Sequence, residues 1–351
     1  MHIVFPGRGP IEKVVKDLEI PYSVIPSIQW VSPKAFSKIE VESVRRKARS
    51  ENSAAVRKIR GVIRRCSIGL VHSNSIGVFV GAEAARREKV KHLWHIREFM
   101  EEDHQLQFWD IEEVVNLLNS SNAIAYVSNA VRDKWGQAIS KESKVEEAVI
   151  YNGIDLSSFL VLDRELFTEG SIRLTVSGRV CDGKNQIEAI RAMAAIVKRH
   201  PNAKLTLVGE RRDMGYYREV IEQIASLGLE GNVFVPGPTT AMNQIWAQTD
   251  IAIVPSRREA FGRSAVEAML AGAIVVGANT GGTKEVVAEG CGYLYELGNP
   301  NDLAEVVNRI LDDRAEAVRI SKAGQAWAAD HFSSKKNERA ILRLYRELFE
   351  R

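Results

Sequence analysis

The stretch Ile251-Ala-Ile-Val-Pro-Ser-Arg-Arg-Glu-Ala-Phe-Gly-Arg-Ser-Ala-Val-Glu-Ala-Met-Leu-Ala-Gly-Ala-Ile-Val-Val-Gly277 decides the fold. It reads strand, loop, helix, strand. Glu259 and Glu267 stand with seven residues between them. Gly262 sits at the turn into the helix, beside Ala260, Phe261, Arg263 and Ser264. A loop of this kind offers free backbone N–H groups at a helix N-terminus, which favours phosphate. One glutamate precedes the helix and one lies inside it, so both can reach a ligand seated on that terminus. N–H groups for phosphate and carboxylates for hydroxyls suit a phosphorylated, polyhydroxylated ligand.

The pattern continues on both sides. Residues 172–177 alternate like a strand, and 186–198 follow with Ile187, Ile190, Met193 or Ala194, and Val197 on one helical face. Further strands are expected at 205–208, 233–235, 251–254, 274–277 and 292–295, with helices between most of them. Strands alternating with helices imply a parallel sheet covered on both faces, whose ligands bind beyond the carboxyl ends of the strands. The first half repeats the theme less regularly, with strands expected at 2–5, 22–25, 68–72, 92–96, 123–127 and 148–151.

A second motif, Ser177-Gly-Arg-Val-Cys-Asp-Gly-Lys-Asn-Gln186, follows a strand and opens a helix. Arg179 and Lys184 are cations near a helix N-terminus, where the dipole disfavours them unless an anion arrives. Gly178 lets the backbone turn tightly there.

Together these residues resemble the signature of the retaining family-4 glycosyltransferases, which have the α/β GT-B fold. The match comprises Glu259, Phe261-Gly262 and Glu267, then Ala271-Gly272 and Gly281-Gly-Thr-Lys-Glu-Val-Val287. The resemblance covers 165–351 specifically and the first half in outline. It implies two Rossmann-like domains facing across a cleft. These are expected at 1–158 and 165–333, with a linker over 156–170 and a final helix, 334–351, packing back on the first. Val149-Ile-Tyr-Asn-Gly-Ile-Asp155 resembles the family's domain junction. By the same resemblance Arg179 and Lys184 hold the donor diphosphate, Glu259 the donor sugar and Glu267 the ribose. Gly237, Pro238 and Thr239 resemble the loop that contacts the base. The implied reaction moves a sugar from a nucleotide diphosphate, UDP ahead of GDP, to a saccharide or lipid-linked acceptor with retention. No Asp-x-Asp pair occurs, so no metal or separate cofactor is expected, and the two cations take the electrostatic role. A non-catalytic nucleotide-sugar-binding subunit and a 2-epimerase on the same fold remain the alternatives.

Two places depart from the family. The chain begins at His2-Ile-Val-Phe-Pro-Gly-Arg-Gly-Pro-Ile11, which resembles a segment found after a first Gly-rich β-α unit. About 30 residues, one such unit, are expected to be absent, which raises a protein partner supplying it. At Leu93-Trp-His-Ile-Arg-Glu-Phe99, Arg97 takes the place of the family's reaction-centre histidine and Glu98 that of an aspartate. His95 lies two residues earlier on the same strand face as Arg97.

Composition agrees with a two-domain enzyme. The 351 residues are 45% hydrophobic and 26% charged, with a net charge of +3, too little for a nucleic-acid partner. Cys66, Cys181 and Cys291 lack metal spacing and read as reduced thiols. No leader or bilayer span is read, so a cytoplasmic protein is expected. Ten cations crowd 38–65 against Glu40, Glu42 and Glu51. Either they touch an anionic membrane peripherally or they form a solvated helix that draws in a nucleotide diphosphate.

Overall fold

A computed structural model describes residues 1–350, except for the side chain of Glu169. The chain divides into two compact units, Met1–Ile150 with Arg343–Arg351, and Tyr151–Leu342. Both are α/β with parallel sheets.

Unit 1 runs β1 (Ile3–Phe5), α1 (Ile11–Asp17), β2 (Tyr22–Val24), β3 (Val31–Pro33), α2 (Lys38–Arg65), β4 (Leu70–Asn74), α3 (Val80–Glu88), β5 (Lys91–Ile96), β6 (Leu106–Phe108), α4 (Ile111–Asn119), β7 (Ala123–Tyr126), α5 (Asn129–Trp135) and β8 (Glu146–Val149). Its main sheet has the order β4-β5-β7-β8, all parallel. β1 and β2 form a separate parallel pair. The antiparallel pair β3–β6 was not expected from sequence. Its strands are three residues long, too short to show a period.

The basic stretch forms α2, a single helix of 28 residues. Ser37 and Glu40 close its N-terminus with a reciprocal capping box. The strand expected at 68–72 starts two residues later. Ile68 donates its N–H to the Ile63 carbonyl, so the end of α2 holds this segment in a turn. The last strand runs over Glu146–Val149 rather than 148–151. Ile150 still donates to Tyr126 at 2.8 Å, and the chain then leaves the sheet.

Unit 2 runs α6 (Leu156–Phe159), β9 (Ile172–Ser177), α7 (Gln186–Arg199), β10 (Ala203–Val208), α8 (Met214–Ser226), β11 (Val233–Gly237), α9 (Met242–Gln248), β12 (Ile251–Val254), α10 (Arg263–Leu270), β13 (Ile274–Ala278), α11 (Thr283–Val286), β14 (Tyr293–Tyr295), α12 (Pro300–Asp312), α13 (Arg314–His331) and α14 (Ser334–Glu350). The sheet order is β11-β10-β9-β12-β13-β14, wholly parallel. The order reverses between β9 and β12, so their outgoing loops diverge and leave a crevice at their carboxyl ends. α7 turns a broader face inward than its Ile187 and Val197 stripe suggested. Ala189, Ile190, Ala192, Met193 and Ile196 are fully covered, because α12 packs beside it. α14 is shared: its turns up to Leu342 group with unit 2 and the rest with unit 1.

The β4–β5 edge of unit 1 carries three histidines, His92 and His95 buried and His72 half-buried. His92 is satisfied by Ser73 and Ser121. His72 bonds Tyr345 of the last helix at 2.6 Å, and its ring stacks on His95 with centroids 5.5 Å apart. Burial first, then nearby Arg97, pushes His72 down to about 4 and His95 to about 2; burial and His72 push His92 to about 3. The unfolded chain therefore takes up three protons below pH 6.5 that the folded chain refuses, so stability falls as pH falls. Between pH 7.5 and 5.5 the urea-unfolding free energy of unit 1 should drop by about 4 kcal/mol, at about 1.4 kcal/mol per histidine. A His92→Gln variant should lose about a third of that pH dependence.

Candidate functional site

Unit 2 brings the two sequence motifs together at the carboxyl ends of adjacent strands. The loop after β9 contains Gly178, Arg179 and Lys184, and the loop after β12 contains Glu259. Lys184 Nζ pairs with Glu259 Oε1, and Ser256 Oγ donates to the same carboxylate oxygen at 2.6 Å. The Lys184 stem lies over Gly178, where a Cβ would stand 3.2 Å from it. Three further ties bind the loops. Arg257 N–H donates to the Gly183 carbonyl at 3.0 Å, Asn185 Nδ2 donates to the Pro255 carbonyl at 3.1 Å, and Arg257 pairs with Asp182 at 2.8 Å. The sequence reading missed Ser256, Asn185 and Arg257. All three lie inside the quoted stretches, but only the β9–β12 pairing shows what they touch.

The residues between Glu259 and α10 form a donor-rich turn. Gly262 caps α10 with a left-handed φ of 94°. Ala260, Phe261 and Gly262 are buried. Among the described residues, the N–H groups of 260–264 meet no backbone acceptor. Arg263 is exposed and Ser264 half-buried on the first turn. Helix N–H groups left in this state form an anion site.

That turn is held from behind by Gly281 and Gly282. Gly282 N–H donates to the Glu259 carbonyl at 2.7 Å. A Cβ on Gly282 would lie 2.6 Å from the Ala260 oxygen, and one on Gly281 2.5 Å from the Glu259 oxygen. Phe261 packs on Tyr151 and Phe332 with centroids at 6.0 and 5.4 Å. The Gly-Gly pair of the motif therefore serves close approach of two backbones.

Glu267 lies one turn further along α10 and is 8% exposed. Its carboxylate accepts from Arg263 Nε at 2.6 Å and from Trp246 Nε1 at 3.4 Å. The Arg263 side chain is mostly exposed, so it can swing away and yield that oxygen to a ligand hydroxyl. Gly237 ends β11 and accepts from Gly209 N–H at 3.2 Å. Pro238 and Thr239 follow on the surface, and Thr239 Oγ1 accepts from Ala241 N–H. The Arg211 guanidinium lies over the Tyr217 ring, 3.5 Å from where a Gly237 Cβ would stand.

Arg97 belongs to unit 1. Its Nε donates to Asn74 at 2.5 Å, and burial lowers its guanidinium from the usual range. Glu98 is buried and accepts from Ser75 Oγ and from Ile76 N–H at 2.9 Å. Burial raises its carboxyl above the ordinary value. Glu98 thus organises the turn after β4. His95 is 1% exposed and its Nε2 meets no partner among the described residues.

Residues 162–327 match the family model described as glycosyl transferases group 1. Among curated proteins, glycogen synthase of Mycobacterium tuberculosis is 28% identical over 245 residues, covering 69% of this chain and 56% of that protein. D-inositol 3-phosphate glycosyltransferase of a Nocardioides species is 31% identical over 225 residues, covering 58% and 48%. The chain spans about half the length of these curated relatives. Among solved structures, Anabaena HepE in complex with UDP superposes with a TM-score of 0.80 at 25% identity, covering 98% of this chain and 91% of that one. Among the described residues, no helix is long and apolar enough to cross a membrane. The chain thus has the two-domain, Rossmann-like GT-B fold, and its residues 162–327 are similar to the glycosyl transferases group 1 family.

Proposed function

We propose that this chain is a retaining hexosyltransferase of the family-4 type, taking a UDP-sugar and delivering the sugar to a saccharide or lipid-linked acceptor hydroxyl without a metal. The observation that carries the reading is the convergence of Lys184, Glu259 and the donor-rich turn 260–264 at the β9–β12 switch point. A diphosphate seated on that turn would meet the N–H groups and the Lys184 ammonium. Arg179, on the same loop as Lys184, supplies a second cation. Charge grows on the leaving diphosphate as the glycosidic bond breaks, and donors already aimed at it need no reorganisation. Glu259, freed from Lys184 by the incoming anion, takes sugar hydroxyls. Glu267 exchanges Arg263 for the ribose. HepE, at the same level of similarity, was solved with UDP and with UDP and glucose, which supports uracil ahead of guanine. Both glutamates lie on one segment of unit 2, unlike a glycosidase pair flanking its bond.

Titration calorimetry with UDP and GDP, followed by assay of UDP release from UDP-hexoses with saccharide and lipid-linked acceptors, tests this. The expected result is tighter binding of UDP than of GDP and an acceptor-dependent release of UDP, with the product anomer matching the donor by proton NMR. UDP binding that Glu267→Ala and Lys184→Ala both leave unchanged would refute the site.

A further inference from the structure

Unit 1 contains a cavity of about 510 Å³ between α2, α3 and α4. Its aromatic side comes from the unexpected β3–β6 pair, which joins Trp30 to Trp109 through a Trp109 N–H to Trp30 carbonyl bond of 3.0 Å. Trp30 stacks on Phe79 with centroids 4.8 Å apart, and Val56 and Leu117 extend the apolar lining.

Four arginines also line it, Arg45 and Arg49 from α2 and Arg86 and Arg87 from α3. Three have carboxylates within the same cavity. Arg45 pairs with Asp110 at 3.1 Å and with Glu113 at 3.8 Å, while Arg86 and Arg87 share Glu83 at 2.9 and 2.5 Å. Arg49 has no ion pair among the described residues. The two indoles differ in the same way. Trp30 Nε1 donates to the Ile76 carbonyl at 2.7 Å. Trp109 Nε1 is buried and has no acceptor among the described residues. Four guanidiniums face three carboxylates in this lining, and the surplus guanidinium favours a ligand that carries negative charge. Its volume lies in the range of small-molecule sites, and its mixture of apolar walls with a few polar groups is the usual lining of one.

We propose that this cavity is a second ligand site, separate from the donor site of unit 2, for an amphipathic anion. The ligand has an aromatic or other apolar body that packs on Trp30 and Phe79. Its phosphate or carboxylate accepts from Arg49.

The probes are 1-naphthyl phosphate, 1-naphthoate, neutral 1-naphthol and inorganic phosphate, titrated by calorimetry into the full chain. At least one of the two aromatic anions should bind saturably, about tenfold or more tighter than 1-naphthol or inorganic phosphate; comparing the two assigns the head group. Arg49→Ala should weaken it about tenfold, the loss of a charge-assisted contact. Phe79→Ala removes part of the aromatic wall and should weaken binding of the aromatic anions several-fold. Arg49 is exposed, so its substitution leaves the fold intact. Saturating UDP should leave the affinity unchanged, which separates this site from the donor site; the titrations without UDP stand whether or not UDP binds. Absence of saturable binding, equal affinity in both variants, or displacement by UDP would each overturn the proposal.

Discussion

Lys184→Ala should weaken UDP binding by about tenfold and lower UDP release from the donor sugar by about 10²–10³-fold. The first figure is the loss of one charge-assisted contact. The second is what a single preorganised donor facing a developing negative charge is worth. Lys184 contributes more than its own charge. Its ammonium neutralises Glu259, which Ser256 also fixes at 2.6 Å. Removing it leaves an acidic group, 14% exposed at the side chain, facing the incoming diphosphate. The double variant Lys184→Ala with Glu259→Gln should therefore recover part of the UDP affinity and none of the turnover. Calorimetry and a steady-state assay on the same preparations separate the two effects. Unchanged turnover in Lys184→Ala would remove its leaving-group role.

Gly282→Ala is expected to abolish donor binding while the chain still folds. The added methyl would lie 2.6 Å from the Ala260 oxygen and 2.7 Å from the Phe261 Cα. Both are backbone atoms, and no side chain can swing aside to make room. Overpacking of this kind costs about 1–3 kcal/mol. The strain is relieved by pushing away the loop 259–262, whose N–H groups are the proposed phosphate site. Gly231→Ala is the control, because a Cβ there meets nothing within 4 Å. Its urea midpoint and UDP affinity should match those of the parent. UDP binding by Gly282→Ala equal to that of the parent would show that the turn does not hold the phosphate.

Much of unit 2 was legible because its signals are local. β9 and β12 fall where their apolar residues place them, at Ile172–Ser177 and Ile251–Val254. β12 is an unbroken apolar run, β9 alternates apolar with polar residues, and the helices between such strands carry their own period. Unit 1 was read less well. Its strands β3 and β6 have only three residues each and pair across more than seventy positions, so nothing near either one announces the other. The helix α2 was visible as a basic segment. The sharing of its arginines among Glu88, Asp110 and Glu113 was not.

The candidate site divides along the same line. Glu259, Glu267, Gly262 and the Gly281-Gly282 pair were chosen from the sequence for their order and chemistry. That order carries no distance. The structure shows that Glu259 meets Lys184 from a loop 75 positions away, and that Gly281 and Gly282 press against the backbone of the turn.

The sequence alone determined which segments alternate as strand and helix, where the glycine-rich turns fall, and which charged residues stand beside them. Hydrophobic period and turn chemistry act over a few residues and are written in neighbours. Tertiary structure alone decided that the loops after β9 and β12 share an ion pair, that burial holds three histidines neutral to lower pH than usual, and that two tryptophans wall a cavity. Those outcomes depend on strand order and on exclusion of water, which exist only once distant segments have packed together.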